Sequence, residues 1–139
     1  LNIFIIGKFE PNNHLKNISN YKNVFFTGFA EDLNYFYKKT DCNLLISTPD
    51  LGNRSRIADF WIHQTPIVAR LKPLHYPQII NNFNGLIAVT PKTIASKIKE
   101  VTTNENLKKK IKINGFNTGM SCFKLSDFRN KIEKTIKNL

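Results

Sequence analysis

At 139 residues the chain has room for one core and little more, and it is strongly basic, with 21 Lys and Arg against 10 Asp and Glu. Its hydrophobic content of 41% and aromatic content of 12% exclude a disordered chain. No apolar run approaches the roughly 18–20 residues that a membrane-spanning helix requires.

In chain order, Ile3–Ile6 is an apolar strand that ends at Gly7-Lys8, and an Asn-rich connection with a short helix near His14–Ser19 follows. Val24–Gly28 is a second strand. Leu33, Phe36 and Tyr37 recur at helical spacing and place a helix over Glu31–Lys39. Asn43–Ser47 reads as a third strand, Arg54–His63 as a helix, Ile67–Ala69 as a fourth strand and Gly85–Val89 as a fifth. From Pro91 onward the pattern is helical. Pro91 suits a first turn, the apolar stripe runs from Ile94 to Val101, and a second helix over Asn104–Asn114 is expected to close at Gly115. Ser126 is the expected N-cap of a last helix reaching about Lys137. Short apolar strands alternating with helices define an α/β domain built on a parallel sheet flanked by helices, here taken as one domain over residues 1–139. The chain opens on Leu1 with no initiator Met and no signal peptide, and it reads as a fragment of a longer protein.

The formal charge of +11 comes largely from lysines in the C-terminal helices, whose other faces carry Ile94, Ile98 and Val101, then Leu107 and Ile111, then Phe128, Ile132 and Ile136. The plainest reading is a solvated lysine face. An anionic membrane surface is the next candidate partner. Nucleic acid ranks last and is not an expected partner, because the aromatics do not alternate with the lysines as a base-stacking platform would require. Cys42 and Cys122 lack metal-ligand spacing and read as reduced thiols of a cytosolic protein. His14, His63 and His75 likewise form no ligand pattern, so no metal site is expected.

The segment Gly52–Ala69 carries the most chemistry. Arg54 and Arg56 sit at a helix start, where free N–H groups and the helix dipole already favour an anion. Asp59 follows about one turn later and supplies an acceptor, expected at the buried end of the site. Cations at a helix N-terminus oppose its dipole by roughly 0.3–1 kcal/mol, so an anionic ligand explains them better than solvation does. An Arg56–Asp59 surface pair at i,i+3 is the bland alternative. Trp61, Phe60 and His63 read as packing residues. Ligands of parallel sheets bind beyond the strands' carboxyl ends, which would align Gly7-Lys8, Gly28-Phe29 and the Arg54 helix along one rim.

Four segments in order resemble a known family: Ile3-Phe-Ile-Ile-Gly7; Asn23–Gly28 with Leu33–Tyr37 and Thr40-Asp41; Arg56–Ala69; and Asn82–Ile87 with Ile94-Ala95. Together they are similar to the C-terminal, nucleotide-sugar-binding half of a GT-B glycosyltransferase of the family 4 type. The resemblance implies a Rossmann-like half of a GT-B fold that binds a UDP- or GDP-type sugar donor without metal or other cofactor. It implies that Asp59 grips ribose hydroxyls and that Gly28 and Phe29 line the base slot. Gly7, Lys8, Gly52, Asn53 and Ser55 would line the donor site, with Arg54 and Arg56 as the catalytic cations that meet charge on the leaving diphosphate. The expected partner is an N-terminal acceptor-binding domain of the same bacterial enzyme. It would act in polysaccharide biosynthesis, in the cytoplasm or on the inner face of the membrane. The sequence departs from the family at Leu51, where a glutamate is usual, and at Gln64, where a glycine is usual. Two other readings stay open: a non-catalytic nucleotide-binding or interaction domain, and a basic module for anions or membranes.

Overall fold

The chain divides into two compact units, Leu1–Phe36 and Tyr37–Leu139. The computed structural model describes residues 1–7, 17–18, 20–46, 54–70 and 78–137. In the first unit, β1 (Ile3–Ile6) pairs in parallel with β2 (Val24–Gly28), in register from Ile3↔Val24 to Ile5↔Phe26. Phe4 and Phe25 face each other across this ladder with ring centroids 5.1 Å apart, and Phe36 lies 6.2 Å from Phe4. The helix α1 (Leu33–Lys39) starts two residues later than its apolar spacing suggests. The Asp32 carboxylate accepts the Asn34 N–H at 2.8 Å, so Asp32 caps the helix and Glu31 stays outside it. Most of the short helix expected near residues 14–19 falls outside the described residues.

The second unit holds β3 (Asn43–Ile46), β4 (Ile67–Arg70) and β5 (Leu86–Ala88), all parallel, in the order β3-β4-β5. Both faces of β4 are covered, which is why its first three residues are uniformly apolar. Ile67 and Ala69 pack with Leu45, Ile79 and three residues of α2 (Arg54–Ile62): Ile57, Phe60 and Trp61. Val68, on the other face, packs with Leu86, Val101 and Ile111. Val101 lies on α3 (Pro91–Thr103) and Ile111 on α4 (Glu105–Cys122). The chain ends in α5 (Leu125–Lys137), on which Ile132 and Ile136 are exposed. The apolar stripes of α3 and α4 therefore meet the core as expected, whereas their lysines divide between exposed ones such as Lys99, Lys109 and Lys110 and half-buried ones such as Lys97, Lys108 and Lys112.

Helix ends follow local chemistry. Pro91 opens α3 as expected, and the Thr90 and Thr93 side chains form a reciprocal capping box. Gly115 does not close a helix: α4 continues through it to Cys122. A Cβ on Gly115 would stand 2.5 Å from Cδ1 and 2.8 Å from Nε1 of Trp61, so the glycine lets α4 approach the indole. Ser126 lies inside α5 and is not its cap, because the helix begins at Leu125.

The end of α2 is a Schellman motif. The Thr65 N–H donates to Phe60 O at 2.9 Å and the Gln64 N–H to Trp61 O at 3.0 Å. This motif puts Gln64 at φ 52°, in the left-handed region. The glycine usual at this position in the family thus has a backbone reason, and the glutamine here carries strain. Near the amino end of β3, Lys108 donates to Asp41 Oδ1 at 2.6 Å, tying α4 to the strand entry. Burial, then the Asp41 carboxylate, pushes the adjacent Cys42 thiol up to about 11, and Cys42 and Cys122 are both free.

Two stability outcomes follow. Gly115→Ala should destabilise the fold by about 1–3 kcal/mol, since a rigid buried indole must move to admit the methyl group. Gln64→Gly should instead stabilise it by about 0.5–1 kcal/mol, the relief of left-handed strain exceeding the added unfolded-state entropy. Urea unfolding of both variants beside the parent chain checks the opposite signs.

Candidate functional site

The helix α2 connects β3 to β4, and its C-terminal end meets the amino edge of the sheet, where Asn43 N–H donates to Pro66 O at 2.8 Å. Its first turn therefore stands at the carboxyl edge, where parallel sheets hold ligands. Ile57, Phe60 and Trp61 point into the core. Helical spacing then turns Ser55, Arg56 and Asp59 outward, and all three are exposed. Asp59 is thus a solvent-facing carboxylate, contrary to the buried position expected, because the core-facing positions around it are taken by Ile57, Phe60 and Trp61. None of the ion pairs among the described residues joins Arg56 to Asp59. The bland surface pair is absent, and both residues are exposed.

What stabilises this helix is buried. Trp61 is 1% exposed, and its Nε1–H donates to Asn84 O at 3.0 Å. The Asn84 side chain, itself fully buried, accepts from Ile80 N–H at 2.7 Å and donates to Gln78 O at 2.8 Å and to Thr118 Oγ1 at 3.1 Å. Every polar atom of that amide is used, which makes a buried polar side chain tolerable. Phe60 and His63 pack on Tyr37, with ring centroids 5.7 Å and 4.7 Å away, and His63 Nδ1 lies 2.8 Å from Asp59 O. His63 is a packing residue, as its apolar neighbours implied.

Tyr37 reports on the charges nearby. Burial, then the Asp59 carboxylate, raises its phenol above the ordinary value of 10.0, while the Arg56 guanidinium lowers it. Arg56 and Asp59 thus act on one phenol from the same outer face of α2. The sequence reading missed Tyr37 as part of this group, although its place in the helical stripe already marked it as half-buried.

The remaining expected residues sort by unit. In the first, Gly7 and Gly28 adopt φ of 135° and 68° and are joined by a Gly7 N–H to Gly28 O bond of 2.8 Å. A Cβ at Gly28 would meet nothing within 4 Å, so the backbone conformation alone selects glycine there. Phe29 follows and is 73% exposed. These three residues are brought together at the carboxyl ends of β1 and β2. Ser55, Arg56 and Asp59 belong to the second unit. Arg54 is the first residue of α2. Lys8, Gly52 and Asn53 lie outside the described residues. Among the described residues no group of three or more His, Cys, Asp or Glu is arranged to hold a metal ion, and no helix is long and apolar enough to cross a membrane.

Comparison with known proteins places the fold. No protein-family model and no curated protein matches the chain. Among solved structures, Anabaena HepE in complex with UDP-glucose superposes with a TM-score of 0.81 at 17% identity over 99% of this chain. The pneumococcal O-GlcNAc transferase GtfA, in complex with UDP and GlcNAc, gives 0.79 at 17% identity, also over 99%. The C-terminal domain of the glycosyl transferase group 1 protein LpcC from Francisella tularensis gives 0.63 at 21% identity over 81% of this chain and 60% of its own. The chain has a Rossmann-like α/β fold, and the solved structures that share it are GT-B glycosyltransferases. The chain spans 41% of the HepE chain and 29% of the GtfA chain.

Asp59→Asn should lower the Tyr37 titration point by removing the second cause of its elevation, and Arg56→Gln should raise it further by removing the opposing cation. NMR of the four tyrosine rings against pH reads both shifts.

Proposed function

We propose that this chain is the donor-binding half of a glycosyltransferase that moves a hexose from a UDP- or GDP-sugar to a cell-surface glycan or lipid acceptor. The observation that carries the reading is the outer face of α2, where Arg56 and Asp59 stand exposed and unpaired with each other, on a helix that starts at the carboxyl edge of a parallel sheet. The fold it shares with HepE and GtfA, both crystallised with UDP, supports the same reading.

The chemistry is a division of labour. Cleavage of the nucleotide-sugar bond leaves extra negative charge on the diphosphate. Preorganised donors at that point stabilise the transition state more than the ground state. Arg54, Arg56 and the amides of the first turn of α2 are assigned that role. Asp59, an exposed acceptor one turn beyond Arg56 on the same face of α2, is assigned the ribose hydroxyls. Phe29 and the Gly28 backbone are assigned the base. None of these roles requires a metal ion. The acceptor and any general base would come from an N-terminal domain of the same enzyme, working in the cytoplasm or at the inner membrane face, so the chain alone should transfer no sugar.

Calorimetric titration tests this. The 139-residue chain should bind UDP or GDP with a dissociation constant of about 1 mM, equivalent to roughly 4 kcal/mol. Arg56→Gln should weaken binding about fivefold to tenfold, the range of one lost charge-assisted hydrogen bond at an exposed site. Heat that never exceeds dilution at millimolar UDP and GDP would overturn the reading.

A further inference from the structure

The chain contains the dipeptide Asn-Gly twice, at Asn84-Gly85 and Asn114-Gly115. This pair is the one most open to deamidation, because glycine has no side chain to hinder its nitrogen from reaching the preceding Asn Cγ. Both pairs meet at a single contact, between the turn that precedes β5 and α4. Asn84 Nδ2 donates to Thr118 Oγ1 at 3.1 Å, and Asn114 Nδ2 donates back to Phe83 O at 3.2 Å. Packing imposes the glycine in each case. A Cβ at Gly85 would stand 2.9 Å from Ile79 Cγ2, and one at Gly115 would stand 2.5 Å from Trp61 Cδ1.

The fold blocks the reaction that these glycines make available. Attack requires the Asn side chain to swing onto the next backbone nitrogen, ammonia to leave and water to enter. Asn84 is 0% exposed, so neither small molecule has a path. Its Oδ1 accepts from Ile80 N–H at 2.7 Å and its Nδ2 donates to Gln78 O at 2.8 Å, which holds the amide toward the preceding turn. Its carbonyl is held by the Trp61 indole. Asn114 lies inside α4, where the Gly115 amide belongs to the helical ladder.

We propose that Asn84 is a chemical modification site that only an opened chain presents, and that its conversion makes opening irreversible. Once the turn parts from α4, the Gly85 nitrogen attacks Asn84 Cγ, the bond from Cγ to Nδ2 breaks, and ammonia leaves. Water then opens the cyclic imide to aspartate or isoaspartate; no oxidant or cofactor is needed. The product does not fit the old site. A carboxylate has no proton for the Gln78 carbonyl, and Thr118 Oγ1 already donates its own to Asn114 O at 2.7 Å. Buried there, it is an unpaired charge facing two acceptors, which is strongly destabilising. Isoaspartate also lengthens the main chain by a methylene where Gly85 passes Ile79. Unfolding followed by covalent change is thereby lost to refolding.

The test incubates the 139-residue chain in mildly alkaline native buffer and in urea above its unfolding midpoint, following both asparagines by peptide mass spectrometry. In urea both should convert at similar rates, because only the local dipeptide then matters. In native buffer Asn84 should convert at least about a hundredfold more slowly, since reaction samples only the open population. Thr118→Val should raise that native rate about fivefold, the opening gained by losing one hydrogen bond, and leave the urea rate unchanged. Fluorescence of Trp61, the one tryptophan, reports refolding when urea is removed. Converted Asn84 should be absent from the refolded fraction, whatever the state of Asn114. Asn84 conversion as fast in native buffer as in urea, no conversion in urea, or converted chains that refold each overturn the proposal.

Discussion

The second unit depends on how one indole is seated. Trp61 lies on the flat surface made by Gly115 and Gly119 of α4, where a Cβ on Gly119 would come within 3.2 Å of the Trp61 Cβ. Its N–H is held by the Asn84 carbonyl, so the ring is fixed by shape and by a directional bond. An aromatic side chain of this size contributes more buried area than any other residue of α2. Because it anchors the helix on α4, Ile57 and Phe60 must also face inward, and Ser55, Arg56 and Asp59 must face out. The exposed face of α2 is therefore a consequence of core packing.

The same anchor organises the polar interior. Asn84 would be a liability among apolar neighbours if any of its groups lacked a partner. Its backbone carbonyl accepts from Trp61, and its side chain joins the turn at Gln78 and Ile80 to Thr118 of α4. A single buried amide thus links α2, the turn before β5 and α4. Thr65 plays a smaller version of this part, accepting from Asn43 Nδ2 at 2.6 Å and donating to Phe60 O at 3.0 Å, which ties the end of α2 to the start of β3. Both networks lie away from the carboxyl edge, so rigidity is built beneath the site and the edge is left free for charge.

That edge has an unusual electrostatic character. Parallel strands ending together already direct ligands to one side of a sheet, and helix starts at the same side add positive partial charge. Arg56 in the first turn of α2 and Arg70 at the end of β4 add full charges to it, and the first turns of α2 and α3 add no acid. Asp59 stands one turn away, where it acts on Tyr37. Cation and carboxylate are thereby separated by one turn along α2.

Much of this was legible in the order of residues. The five strands and the α2 span appear where apolar runs and turn residues place them, because burial on both sides of a parallel sheet leaves uninterrupted hydrophobic segments. Arg56 and Asp59 were marked by their spacing on one helix. Local pattern could not distinguish a glycine that stops a helix from one that admits a neighbour, so Gly115 required the partner Trp61 to be seen. Nor could it show why Gln64 stands where glycine is usual, since the left-handed turn is a property of the Schellman closure. Arg70 drew no attention as one basic residue after an apolar strand; only register across three strands puts it at the centre of the edge. Sequence alone determined the elements and the charges they carry, because periodicity and chemistry are local. Tertiary structure alone decided which charges share an edge and which amides are spent in the core, because those depend on contacts between residues far apart in the chain.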